Sequence, residues 1–132
     1  MNYKCLAAIC FLILLVSCNQ DIQPDEILSS EINFKLIIFS TDKFTSDSTI
    51  TKTINKDSDI IYRLKLWFKK NPDGWTSSIS SWATPDISLI GDDFRLLIQK
   101  DVVVIGFTDK KGKARQLVKK VDISEFGFLT EQ

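Results

Sequence analysis

The chain has 132 residues, with 17 basic and 17 acidic side chains, no histidine, and three cysteines at positions 5, 10 and 18. That charge balance argues against a nucleic-acid binder, which carries a basic excess. The missing histidine removes the usual general base, the usual pH switch and the commonest zinc ligand together. The length is enough for one domain with a core of its own and too short for two.

Residues 1–4 carry one positive charge, on Lys4, and residues 5–16 are almost wholly apolar. A charged start, a hydrophobic stretch and small residues at the cut form the pattern of an export signal. As a helix the apolar stretch rises about 18 Å, short of the roughly 30 Å hydrocarbon core, so no permanent span is expected here. Leu15-Val16-Ser17-Cys18 follows directly. These four residues resemble the lipobox of bacterial lipoproteins, and the resemblance covers about the first twenty residues. It implies that Cys18 receives a diacylglycerol, that cleavage occurs just before it, and that the new amino group is acylated. The expected anchor is therefore lipid on Cys18, holding the protein to a membrane of the bacterial envelope. In that family an asparagine after the cysteine, here Asn19, goes with transfer to the outer membrane of a Gram-negative cell, facing the periplasm. Cys5 and Cys10 read as small apolar residues of the signal. With Cys18 lipidated, no thiol is left for a disulfide, a nucleophile or a metal site.

The domain division expected is thus a signal over 1–17, a lipidated tether over 18–30 and one domain over 31–132. Residues 19–30 are polar and acidic with Pro24, a composition with little to bury. Ile32, Phe34, Leu36 and Ile38 then alternate with a mixed second face, predicting a strand, and the Thr/Ile alternation of 49–54 predicts its partner. Residues 57–71 change to helical period: Trp67, Ile60, Leu64, Phe68 and Ile61 fall within an arc of about 120°. Asp57 is the expected cap, Lys69 and Lys70 sit at the negative end, and Asn71-Pro72-Asp73-Gly74 stops the helix.

Beyond a Ser/Thr-rich stretch, residues 86–90 predict a short strand and Gly91-Asp92-Asp93 a turn. Residues 94–99 and 102–108 predict a hairpin bending at Lys100-Asp101. That register opposes Ile98 to Val103, Leu96 to Ile105 and Phe94 to Phe107 on one face, and Leu97 to Val104 on the other. A last strand follows over 113–121. Asp122-Ile123-Ser124-Glu125 then resembles an aspartate capping box, opening a short helix with Phe126 and Leu129 inward. The sum is an α+β domain: a mainly antiparallel sheet of about six strands, in the order β-β-α-β-β-β-β-α, with one main helix packed on a face.

Four sets of residues carry candidate chemistry. Asp92 and Asp93 are adjacent carboxylates, the pair a glycan hydrolase needs, but their setting reads first as a solvated turn. Lys110, Lys111, Lys113, Arg115, Lys119 and Lys120 include no acid between them. They read as a charged edge strand or as a patch for anionic headgroups or an acidic partner. Trp75 and Trp82 bracket a hydroxyl-rich loop with Ile79 inside it, either a binding surface or rings tucked under as satellite core. Tyr62 and Leu66 fall outside the apolar arc of the helix and would extend such a surface. No catalytic residue, metal or cofactor is expected. The function expected is a non-catalytic envelope protein that binds another protein, as an inhibitor or immunity protein does. Small, single-domain and lipid-tethered, its layout is similar to that of small immunity lipoproteins. An accessory subunit of an envelope assembly complex, or a carboxylate-dependent glycan hydrolase, are the alternatives.

Overall fold

The computed structural model describes residues 22–28, 32–39, 49–81 and 84–131. The segment 1–17 read as a signal, Cys18, the loop expected over 41–47 and Trp82 lie outside the described residues. The elements in chain order are α1 (Pro24–Leu28), β1 (Asn33–Phe39), β2 (Thr49–Asn55), α2 (Asp59–Lys70), β3 (Thr76–Ser77), β4 (Ile87–Ile90), β5 (Phe94–Gln99), β6 (Val102–Thr108), β7 (Ala114–Lys120) and a 3-10 helix (Ile123–Leu129). Seven described strands form one sheet in the order β2-β1-β4-β5-β6-β7-β3, every neighbouring pair antiparallel. The architecture is α+β, as expected, with one more strand and one more short helix than the sequence suggests.

The helix-side face of the sheet holds Phe34 and Leu36, Ile87 and Leu89, Phe94, Leu96 and Ile98, Val103 and Ile105, and Leu117, all buried. The β5–β6 register matches the alternation of the sequence residue for residue: Phe94 opposes Phe107, Leu96 opposes Ile105, and Ile98 opposes Val103. Lys100 takes φ 51° at the bend, the left-handed conformation that two-residue hairpins demand. On the opposite face Val104 is buried as well, so the middle of the sheet is shielded from both sides.

α2 buries Ile61, Leu64, Trp67 and Phe68 against that face. Its cap is Ser58, whose hydroxyl accepts from the Ile61 N–H at 3.4 Å, rather than Asp57. The reason is local: the Asp57 N–H already donates to the Asn55 side chain at 2.9 Å, which holds Asp57 in the preceding turn. At the other end Asn71 closes the helix, its backbone N–H donating to Phe68 O and its amide to Trp67 O.

Two further expectations need correction. Of the tether expected over 18–30, the described residues 22–28 do not stay outside the fold: Ile22, Ile27 and Leu28 are buried in the core and α1 packs on α2. Hydrophobic burial is the reason: three aliphatic side chains within seven residues have a place under the sheet, and the intervening acids, Asp25 and Glu26, suit the first turn of α1. Ile32, expected in the apolar row of β1, precedes the strand and is two-thirds exposed. The capping box at Asp122 forms as expected, but the helix it opens is 3-10, with Phe126 and Leu129 inward.

Candidate functional site

Trp75 is fully buried. Its ring meets Trp67 edge-on at 6.1 Å and Phe68 at 6.1 Å, and Phe126 closes on Trp67 at 4.6 Å. Its indole N–H donates to Asn71 O at 2.9 Å, so the polar end of the ring is satisfied inside the fold. A partner has no access to it, and the reading of Trp75 as a surface anchor is corrected to core. The tight Asn71-Pro72-Asp73-Gly74 turn explains this: with Gly74 at φ 76°, the chain folds back beneath α2 before it leaves along β3.

The residues after Trp75 behave differently. From β3 the chain must reach β4, four strands away in the sheet order. Residues 78–81 make the first part of that crossing as a strap over the face opposite the helix. By alternation, Gln116 and Arg95 point to this face, since Leu117, Phe94 and Leu96 point to the other. Gln116 pins the strap. Its amide donates to Ser80 O at 2.9 Å and Ser78 O at 3.4 Å, and its backbone carbonyl accepts from the Ser78 N–H at 3.1 Å. The amide oxygen in turn accepts from the Arg95 guanidinium at 2.9 Å.

Arg95 reaches that position by lying across β6 at Gly106. A Cβ there would fall 2.6 Å from Arg95 Nε, so only glycine lets the arginine cross. Clefts of about 410 Å³ and about 400 Å³ flank the strap, and Arg95, Gln116 and Ile79 line both. Ile79 stands fully exposed between them. Arg95 and Gln116 had no signal in the sequence beyond alternation, because nothing in a linear pattern says that a distant loop will pass over them.

The six basic residues do not form one patch. Arg115 and Lys119 share the helix-side face with Leu117, while Lys120 points to the other. Arg115 pairs with Asp109 at 3.6 Å and Lys120 with Asp101 at 3.4 Å. Lys119 donates to Asp73 O at 2.8 Å and to Asn71 at 3.3 Å, over the Trp75 ring at 5.8 Å. Only Lys110, Lys111 and Lys113 remain together, exposed on the β6–β7 turn. The edge-strand reading is also modified, because β3 covers β7 at Leu117 and Val118 and is itself the outermost strand.

Asp109 shapes that turn, accepting from the Lys111 and Lys113 backbone N–H groups at 2.9 Å each. Those bonds, the Lys113 one foremost, together with the charges of Arg115 and Lys111, hold its carboxyl below the usual aspartate range against some desolvation. Asp92 and Asp93 sit exposed on the β4–β5 turn, at the rim of a cleft of about 310 Å³ shared with Arg95, Thr108 and Arg115. Tyr62, 60% exposed, and Leu66 lie on the outer side of α2 as the helical arc predicts. Among the described residues no group of three or more histidine, cysteine, aspartate or glutamate side chains is placed to hold a metal ion. No helix among them is long and apolar enough to cross a membrane. No protein-family model, curated protein or solved structure matches the chain.

Proposed function

We propose that the chain is a lipid-anchored, non-catalytic protein of the bacterial envelope that binds another protein, in the manner of an inhibitor or an immunity protein. The observation that carries this reading is Ile79, an aliphatic side chain held fully in water at the crest of a pinned, serine-rich strap. A loop tied down at both carbonyls loses little further freedom on binding, so its contacts are spent on affinity instead of ordering. The serine hydroxyls around it supply adaptable hydrogen bonds, and the adjoining clefts offer the Arg95 guanidinium to an acceptor on the partner. Tyr62 and Leu66 add a second exposed apolar area on α2. The lipid on Cys18 keeps this surface at a membrane, facing the periplasm where the membrane is the outer one.

The test is capture of partners from envelope extracts with the domain that begins at Asn19. One dominant partner is expected, and Ile79→Asp, made at a position that touches no core, should weaken its capture by at least about tenfold. Capture that is unchanged by Ile79→Asp removes the strap from the binding surface. Trp75→Ala is no substitute for this variant, since it opens the core.

A further inference from the structure

We propose that the β6–β7 turn is a docking surface for the anionic headgroups of the membrane that carries the anchor, so that the domain lies against the bilayer instead of hanging from it. The inference rests on the lipid-anchor reading of Cys18 and deepens it. The chain joins the fold at Ile22, which is buried and donates its backbone N–H to Pro72 O at 3.0 Å. Three residues, 19–21, separate it from Cys18. Even fully extended, the steps from Cys18 to Ile22 span only about 14 Å. The side of the domain that holds Ile22 is therefore confined to the headgroup region and its immediate margin.

The β6–β7 turn is on that side. Asp109, its first residue, lines one small cavity of about 120 Å³ together with Ile22, Gln23 and Ile27. Lys110, Lys111 and Lys113 are exposed along it, and among the described residues no carboxylate forms an ion pair with them. Asp109 is occupied chiefly by the turn's own backbone N–H groups and by Arg115, with the charge of Lys111 also bearing on it, and Gly112 at φ 76° completes the bend. Glu26 lines the same cavity, so the attraction belongs to the lysine tip and not to a net charge of the whole side. A short tether matters because headgroup potential decays over about 8 Å at physiological salt, and a long one would let the tip drift out of range.

The test uses the full lipidated protein carrying Ala114→Cys, a unique thiol because Cys18 is acylated and residues 5 and 10 leave with the signal. An environment-sensitive fluorophore is attached there, and Thr53→Cys on β2, at the opposite edge of the sheet, serves as control. On vesicles of phosphatidylcholine with phosphatidylglycerol, the label at 114 should shift to an apolar spectrum while that at 53 stays aqueous. Pure phosphatidylcholine should give no shift at 114. Each lysine exchanged for glutamine should lower the docked-to-undocked ratio about fivefold, and all three about a hundredfold. In the otherwise unaltered labelled protein, raising salt to about 1 M should abolish the shift, which needs no lysine variant to fold. An equal shift on neutral vesicles, or none on anionic ones, overturns the docking proposal. Flotation with both kinds of vesicle separates the two readings: a protein that floats without a shift keeps its anchor and loses the docking surface, whereas one that fails to float with either has lost the anchor itself.

Discussion

Asp109 and Asp122 show what single side chains contribute. Each carboxylate accepts backbone N–H groups, those of Lys113 and Lys111 for Asp109 and that of Ser124 for Asp122, and each is held below its ordinary range. A carboxyl whose folded pKa is depressed adds stability above the unfolded value, about 3.9, and loses it as pH falls through the lower folded value. The chain has no histidine, the side chain whose ordinary range lies between about pH 5 and 8. Thermal unfolding should accordingly be flat over that interval and fall below about pH 4. Asp109→Asn, which cannot ionise, should flatten part of the acid decline; an acid limb identical in the two proteins would show that this carboxylate contributes nothing. Arg95, Gln116 and Ile79 belong to the same scale. They are three ordinary residues made a site by a strap crossing over them.

Among elements, the contact between α2 and the 3-10 helix was the least legible. Periodicity placed Trp67 inward and the Asp122 capping box opened the last helix, and both are observed. That the two meet was not readable. Glu125 uses one carboxylate oxygen to accept from the Asp122 N–H at 3.2 Å and the other to accept from the Trp67 indole at 2.8 Å. One side chain thus caps its own helix and locks it to another 58 residues away. Glu125→Ala removes both bonds and leaves the indole of a mostly buried ring unpaired. The expected loss is ~1–3 kcal/mol, read as a lowered urea midpoint with an unchanged slope. Glu125→Gln, which retains an acceptor oxygen, should recover part of it. The strands were easier, because a hairpin's register follows from alternation and the turn between its arms, as Lys100-Asp101 shows.

For the molecule as a whole, the decisive correction is that residues 22–28 belong to the fold. Ile22, Ile27 and Leu28 are core, and burying three such side chains contributes ~5–9 kcal/mol. Set against a typical domain stability of about 5–15 kcal/mol, this makes the segment indispensable. A chain starting at Ile32 should therefore lack a cooperative denaturation transition, whereas one starting at Ile22 should keep the full-length midpoint. Cooperative unfolding of the shorter chain at that same midpoint would return residues 22–28 to the tether.

The linear pattern determined most of what depends on near neighbours. Hydrophobic period decided strand and helix, turn residues decided register, and the alternation of 94–108 put each apolar residue on its proper face. It also determined composition-level chemistry: the chain has no histidine. Tertiary structure alone decided which apolar residues outside the regular elements find a cavity to fill. Trp75 and Ile79 lie four positions apart in one loop, and nothing local distinguishes them. The first meets Trp67, Phe68 and an acceptor at Asn71 O; the second stands fully exposed. Burial depends on the space left by residues distant in sequence, and a periodic signal carries no information about that space.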